Sequence, residues 1–311
     1  MKGKRILVIC GPTAVGKTKY AIEAAQAFDG EIVSCDSMQL YKYMDIGSAK
    51  PTPEELRQAR HHLVDFADPR EDFSVAKYQA LARASIDDIL ARGKLPVISG
   101  GTGLYLNAIL YDMDFAGAPK DEDYRRQLQE ILNTQGPEHL HQMLEQLDPS
   151  AASQIHVNNT KKVIRALERL HLGEGSVQPF SGLNKEWEPY DPLIVGLSRQ
   201  REELYDRINQ RVLQLIDAGL AEEVQGLLDM GLTADHIAMK GIGYKEMIDC
   251  LEGRISLDEA VELIQKNTRH YAKRQLTWFR RYDKIIWYDI SAFGSEETAL
   301  GEFSKWLRTR L

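Results

Sequence analysis

The chain has 311 residues, 43% of them hydrophobic and 27% charged, with a formal net charge of −7. Those proportions allow a buried core in one large domain or two smaller ones, and no apolar stretch approaches the roughly 20 residues that span a bilayer. The acidic balance argues against a protein that coats nucleic acid over its whole surface, although a local positive face stays open.

The first apolar run, Ile6-Leu7-Val8-Ile9, lies in a strand expected over 4–10. No signal peptide is expected ahead of it. Gly11-Pro12-Thr13-Ala14-Val15-Gly16-Lys17-Thr18 follows directly and fits the pattern G-x-x-x-x-G-K-[ST] between that strand and a helix expected over 17–28. Glycines let the backbone wrap an anion, and successive N–H groups with the positive helix end hold phosphate oxygens. Lys17 adds a mobile positive charge, and the Thr18 hydroxyl is able to ligate Mg²⁺. The motif marks a phosphate or diphosphate site and does not assign the phosphate to ATP.

A second strand, 31–36, closes on Asp36 and runs into Ser37-Met38-Gln39. Ligands of open parallel sheets bind beyond the carboxyl ends of strands, so Asp36 is expected to face the loop at 11–18. A carboxylate there binds metal, takes a proton from substrate, or merely caps the next turn. Ser37 and Gln39 offer hydrogen bonds for a base edge. Strands expected at 61–66 and 95–99 alternate with helices at 54–60, 74–92 and 103–110, the pattern of a parallel sheet with right-handed crossovers. His61-His62 lacks partners at metal-ligand spacing and reads as structural. Gly100-Gly101-Thr102-Gly103, after the 95–99 strand, forms a third strand-end loop with one hydroxyl.

The character changes after Tyr111. Residues 115–119 read as a linker, and 121–172 is polar and helical, with Pro137 and Pro149 near helix starts. A loop rich in Gly, Pro and Ser spans 173–192. A strand returns at 193–197, then helices at 200–217, 220–230, 244–252 and 257–282, a strand at 285–288 and a helix at 295–309. The simplest organisation is one α/β core from 1–114 and 193–311, interrupted by a helical insertion at 115–192. Cys10, Cys35 and Cys250 are widely spaced and odd in number, which fits reduced thiols and a cytoplasmic protein.

Basic residues gather in three places. Lys161-Lys162-Val163-Ile164-Arg165 lies in the insertion. Arg199, Arg201, Arg207 and Arg211 lie on or near the helix after strand 193–197, the last two sharing one face. Lys266, Arg269, Lys273 and Arg280 share a face of the 257–282 helix, opposite a core stripe of Leu257, Val261, Ile264, Tyr271 and Ala272. A charged helix face is ordinarily just solvated; basic stretches on insertion and core together suit a polyanion. Strand 95–99 ends without an acid for Mg²⁺, and Asn184-Lys185-Glu186-Trp187 fails the guanine-reading pattern, so the usual parts of an NTP hydrolase are missing.

With these residues in place, the sequence resembles the bacterial tRNA dimethylallyltransferase family, the isopentenyl-tRNA transferases. The matching elements are Gly11–Thr18, Asp36-Ser37-Met38-Gln39-Leu40-Tyr41, Met44-Asp45-Ile46-Gly47-Ser48-Ala49-Lys50-Pro51, Gly100-Gly101-Thr102-Gly103-Leu104-Tyr105, Gly241-Ile242-Gly243-Tyr244-Lys245 and Lys273-Arg274-Gln275-Leu276-Thr277-Trp278-Phe279-Arg280. The resemblance implies a P-loop NTPase-like α/β core, a parallel sheet flanked by helices, with an all-helical insertion domain. It implies transfer of a dimethylallyl group from dimethylallyl diphosphate to N6 of the adenosine at tRNA position 37, with Mg²⁺ and with the phosphate loop repurposed for diphosphate. Asp36 is then the candidate base. Thr13, Lys17, Thr18 and Arg211, with Arg207 near, would neutralise the leaving diphosphate. Contacts to the tRNA anticodon stem-loop would come from Asp36, Ser37, Met38, Gln39, Thr102, Arg125, Lys161, Lys162, Val163, Ile164, Arg165, the run Lys240-Gly241-Ile242-Gly243-Tyr244-Lys245, and the run Lys273–Arg280. A monomer without membrane attachment is expected. A small-molecule kinase, an isopentenyltransferase acting on free AMP, and a non-catalytic RNA-binding module are the competing readings.

Overall fold

β1 (Lys4–Cys10) is apolar and buried from Ile6 to Cys10, as a strand with neighbours on both sides requires. The computed structural model, which describes residues 4–113, 121–173 and 189–311, places it inside a six-stranded parallel sheet of order β3-β2-β4-β1-β5-β6. The chain runs through α1 (Lys17–Ala27), β2 (Gly30–Ser34), α2 (Pro53–Gln58), β3 (His61–His62), α3 (Val75–Ala91), β4 (Leu95–Gly100) and α4 (Gly103–Leu110). It then enters α5 (Glu122–Leu147), α6 (Pro149–Gln154) and α7 (Thr160–His171). It returns as β5 (Tyr190–Ser198), α8 (Arg201–Asp217), α9 (Leu220–Asp229), α10 (Tyr244–Leu251), α11 (Leu257–Phe279), β6 (Ile285–Asp289) and α12 (Glu296–Arg308).

Two compact units result, one from Met1–Leu110 with Trp187–Leu311 and one from Tyr111–Glu186. In the first, Leu7, Ile9, Val97 and Val195 meet Tyr20, Leu204 and Phe303 from the covering helices in one core. Tyr20 and Phe303 touch edge to face at 4.9 Å, joining α1 to α12. The second unit has its own core around Leu128, Leu140, Leu144, Val163 and Leu167. Gly136, at φ 84° ahead of Pro137, kinks α5, and Pro149 opens α6 behind the capping carboxylate of Asp148. Among the described residues, no helix is long and apolar enough to cross a membrane.

Most expected elements are present, with two instructive differences. The strand expected at 61–66 is only two residues long, because Leu63 and Asp65 adopt left-handed backbone with φ 61° and 58°. The strand expected at 193–197 begins at Tyr190, and Pro192 lies inside it. There, among the described residues, β5 pairs with β1 alone, since pairing with β6 starts at Ile194, so the missing proline N–H costs the ladder no bond. The linker expected at 115–119 and most of the loop expected at 173–192 lie outside the described residues.

His61 and His62 are structural. His61 Nδ1 meets the Ala59 carbonyl at 2.9 Å, and His62 Nε2 meets Glu31 Oε2 at 2.7 Å. Glu31, 4% exposed on β2, is also held by Arg92, with Nη2 at 2.8 Å, and these bonds pull its carboxyl down to about 2. A depressed carboxylate contributes stability above its unfolded pKa and loses it as pH falls toward the folded value. Glu31→Gln is therefore expected to cost about 2 kcal/mol at neutral pH, the figure being moderated by Arg92's partial exposure. The gap between the variant and wild-type melting temperatures should close as pH is lowered from about 4.5 toward 2, which thermal denaturation across that range measures.

Candidate diphosphate and nucleic-acid site

One side of this site hangs from the carboxyl ends of β1, β2 and β4, where an open parallel sheet places its ligands. The loop 11–18 leaves β1 and turns through Ala14 at φ 62° and Gly16 at φ 110° into α1. Among the described residues, the N–H groups of Ala14, Gly16, Lys17 and Thr18 meet no acceptor, and Gly16 gives α1 no side-chain cap. The loop carbonyls, in contrast, are engaged. Pro12 accepts from Lys17 Nζ at 2.9 Å, Ala14 from Arg207 Nε at 3.0 Å and Val15 from Arg199 Nε at 3.0 Å. The loop therefore offers donors on one side and has its acceptors occupied on the other, the polarity an anion needs. Burial pushes the Lys17 ammonium down to about 8, Asp36 opposing the fall and Arg211 adding to it.

Gln275 on α11 links two strand ends. Its Oε1 accepts from the Thr13 N–H at 2.9 Å, and its Nε2 donates to the Gly101 carbonyl at 2.9 Å. Thr102, next in that β4-end loop, accepts from the Ser37 N–H at 3.0 Å and so joins the loop after β2. Asp36 Oδ1 accepts from the Met38 N–H at 2.9 Å, a turn-capping bond, while Oδ2 meets no donor among the described residues. The capping role foreseen for this carboxylate is thus filled by Oδ1, and Oδ2 is left unengaged among the described residues.

A cavity of ≈ 330 Å³ in this unit brings several of these groups together. Thr13, Ala14, Asp36, Ser37 and Met38 line one part, and Ile208, Val212, Leu215 and Ile264 form an apolar wall. Arg211, Lys240 and Arg274 supply positive charge, and no carboxylate among the described residues pairs with any of the three. Tyr271 also lines it; burial, helped by the nearby Asp36 charge, raises its hydroxyl to about 12 and keeps it a neutral donor.

The 44–50 loop and the 240–243 segment close the cavity through one carboxylate. Glu223 on α9 accepts from the N–H groups of Asp45, Ile46 and Gly47 at 2.7, 2.7 and 3.0 Å, and from the Tyr244 hydroxyl at 2.8 Å. Gly47 lies so near the Tyr244 ring that a Cβ there would stand 2.5 Å from Cζ, which explains the glycine. Glu246 then caps α10, accepting from the Gly243 N–H at 2.8 Å.

The other expected site residues divide by environment. Lys161, Lys162, Arg165, Lys240, Lys245, Lys273, Arg274, Thr277 and Arg280 are exposed, open to a partner. Val163 and Ile164, expected in the tRNA contact, are instead in the helical unit's core, because the helix must bury one stripe. Tyr244, Gln275 and Phe279 are likewise buried, their side chains closed to an RNA. Trp278 packs against Gly103. Arg125 forks onto the buried Glu168 carboxylate, with Nη2 to Oε2 at 2.8 Å, so its guanidinium serves the helical unit. Gln39 donates to the Ala49 carbonyl at 3.0 Å and braces the 44–50 loop. Of the expected core stripe, Ile264 and Ala272 are buried, Leu257 is exposed, and Tyr271 faces the cavity. Among the described residues, no group of three or more His, Cys, Asp or Glu could hold a metal ion.

The comparisons with known proteins bear on this geometry. The family model for IPP transferase matches residues 39–282. A protein named tRNA dimethylallyltransferase from Alkaliphilus oremlandii is 50% identical over 297 residues, covering 94% of either chain. The full-length tRNA isopentenylpyrophosphate transferase of Bacillus halodurans superposes with TM-score 0.74 at 44% identity, over 99% of this chain and 96% of that one. A eukaryotic dimethylallyltransferase acting on tRNA gives TM-score 0.82 at 26% identity, over 99% of this chain and 81% of its own.

The depressed Lys17 pKa makes anion binding pH-dependent with a definite sign. An anion raises a lysine pKa, so affinity is unaffected below the free value of about 8 and falls as pH climbs through it, at most tenfold per unit. Calorimetric titration with inorganic diphosphate between pH 7 and 9.5 should show wild-type affinity falling relative to Lys17→Arg, which shares the ligand's own titration but not the lysine's. A wild-type to Lys17→Arg affinity ratio constant across that range would remove Lys17 from the anion site.

Proposed function

The chain belongs to the IPP transferase family, and from that membership we infer that it moves a dimethylallyl group onto tRNA, with N6 of adenosine 37 as acceptor and dimethylallyl diphosphate as donor. One observation supports this reading best: a single cavity combines Thr13 and Ala14 of the anion-binding loop, an apolar wall and one carboxylate with an unengaged oxygen. A kinase reading is less well served, since β4 ends in Gly100 rather than in an acid.

The diphosphate lies on the loop N–H groups of Ala14, Gly16, Lys17 and Thr18, with the Lys17 ammonium and the Arg211 guanidinium completing its charge balance. The Thr13 N–H is taken by Gln275, which leaves the hydroxyl of Thr13 for the anion. Ile208, Val212, Leu215 and Ile264 suit the branched hydrocarbon of the donor. Adenine must leave its stack to reach this cavity, at a cost of a few kcal/mol. As N6 attacks allylic C1, the C1–O bond breaks and its electron pair leaves with diphosphate. Asp36 Oδ2 takes the N6 proton, and the neutral Tyr271 hydroxyl stands beside it as a donor.

Mg²⁺ fits the donors present. The Thr18 hydroxyl, at the start of α1, is a hard oxygen with no hydrogen-bond partner among the described residues. Mg²⁺ beside phosphates takes one or two protein oxygens together with phosphate and water, so no cluster of carboxylates is required. When bound, the ion neutralises diphosphate charge and so makes it a better leaving group.

The exposed cations Lys273, Arg274 and Arg280 of α11, with Lys240 and Lys245, serve the anticodon stem-loop from the α/β unit, and Lys161, Lys162 and Arg165 serve it from the helical unit. The enzyme acts as a monomer in this reading.

Incubating the protein with Mg²⁺, dimethylallyl diphosphate and an unmodified anticodon stem-loop, then weighing the RNA, tests the reaction. A gain of one dimethylallyl unit is expected, and Asp36→Ala should lower the rate at least about 100-fold with RNA binding retained. Turnover of AMP or ATP without gain by the RNA would replace this reading. Lys273→Ala and Arg280→Ala should each raise the KM for tRNA and reduce its logarithmic salt slope by about one, with diphosphate affinity unchanged. Losses identical at every salt concentration would argue against phosphate contacts.

A further inference from the structure

We propose that Arg207, together with Arg199, holds the phosphate loop in its binding shape from behind and does not touch the diphosphate; the inference rests on the diphosphate reading above. Arg207 Nε donates to the Ala14 carbonyl at 3.0 Å, and its Nη1 reaches Glu296 Oε2 at 3.1 Å. Arg199, only 3% exposed, donates through Nε to the neighbouring Val15 carbonyl at 3.0 Å. Its Nη2 stands 3.4 Å from the same Glu296 oxygen, and its Nη1 pairs with Glu203. One carboxylate from α12 thus fixes two guanidiniums, and each caps one of two successive loop carbonyls.

The reason for such a brace is at Ala14. Its φ of 62° is left-handed, a conformation that a residue with a Cβ keeps only where its surroundings over-determine it. If the loop relaxed from this conformation, the Ala14 and Val15 carbonyls would be free to turn toward the anion, replacing attraction by repulsion. Arg207 and Arg199 prevent this by making the outward carbonyl orientation the hydrogen-bonded one. Glu296 has a second effect. It offsets positive charge close to the loop, so its presence is costly to an anion unless its value lies in positioning.

Two variants separate this role from direct contact, both read by titration with inorganic diphosphate and, separately, with the anticodon stem-loop. Arg207→Ala should weaken diphosphate binding about ten- to hundredfold and leave RNA affinity unchanged. Adding Ala14→Gly, which removes the left-handed penalty, should recover about tenfold of that loss, with Ala14→Gly alone as the fourth corner of the cycle. Glu296→Gln gives an opposite sign under the two roles. It should weaken diphosphate binding if the arginines position the loop, and strengthen it if Arg207 contacts the anion directly. A double variant no better than Arg207→Ala, an Arg207→Ala variant binding like wild type, or a tighter Glu296→Gln variant would each overturn the proposal. Failure of the wild type to bind diphosphate would overturn the diphosphate reading itself.

Discussion

An anion-binding loop must point its backbone donors inward, and the same geometry pushes its carbonyls outward, where each needs a partner. That constraint organises this molecule. The loop after β1 contains a left-handed alanine, and the carbonyls of Pro12, Ala14 and Val15 are satisfied by three separate cations. Two of those cations arrive from beyond β5, and the carboxylate that steadies them arrives from α12. The motif supplies a loop capable of the shape; distant parts of the α/β unit make it the stable one.

Helix α11 satisfies several demands at once. Its polar face carries cations open to solvent, its buried face packs into the core, and between them Gln275 and Tyr271 reach the strand ends. Because Gln275 bonds both Thr13 and Gly101, a shift of α11 along its axis would be felt at the diphosphate loop and at the loop holding Thr102. The exposed cations and the side chain that ties the two strand-end loops together therefore sit on one helix.

The phosphate loop, the placement of Asp36, the parallel sheet and the helical middle section were all legible in the sequence, because each depends on local pattern: apolar runs, glycine spacing, and alternation of strand and helix. What could not be read is what depends on tertiary partners. Nothing in a run such as Lys273–Arg280 distinguishes Gln275, buried against two backbone groups, from the exposed Lys273 two positions before it. Tyr271 fitted an apolar stripe by period, yet the stripe borders a cavity there. Glu223 and Glu296 carried no signal in the sequence, whereas Glu223 accepts from the backbone of Asp45, Ile46 and Gly47, 176 to 178 positions away, and Glu296 from Arg207, 89 positions away. Val163 and Ile164 were swept into a basic stretch by adjacency, although helical period alone would have turned them inward. Leu63 and Asp65 show the reverse case, where left-handed backbone without glycine ended a strand that composition favoured.

The origin of the loop's partners has a consequence for how the protein comes into being. A ribosome releases the motif Gly11–Thr18 early, with β2, β3 and β4 soon after, but Arg199, Arg207, Gln275 and Glu296 emerge only once the helical section has been made. Until then β1 lacks its β5 neighbour, and the loop's carbonyls have only water and Lys17. The nascent first half carries the whole phosphate-binding signature without the means to hold its shape. The helical unit, with a core of its own, is free to fold in the interval. The groups that hold the loop's carbonyls thus arrive late and all together, with the last strand and helix of the sheet, so that truncated chains retaining the signature would lack what fixes its shape.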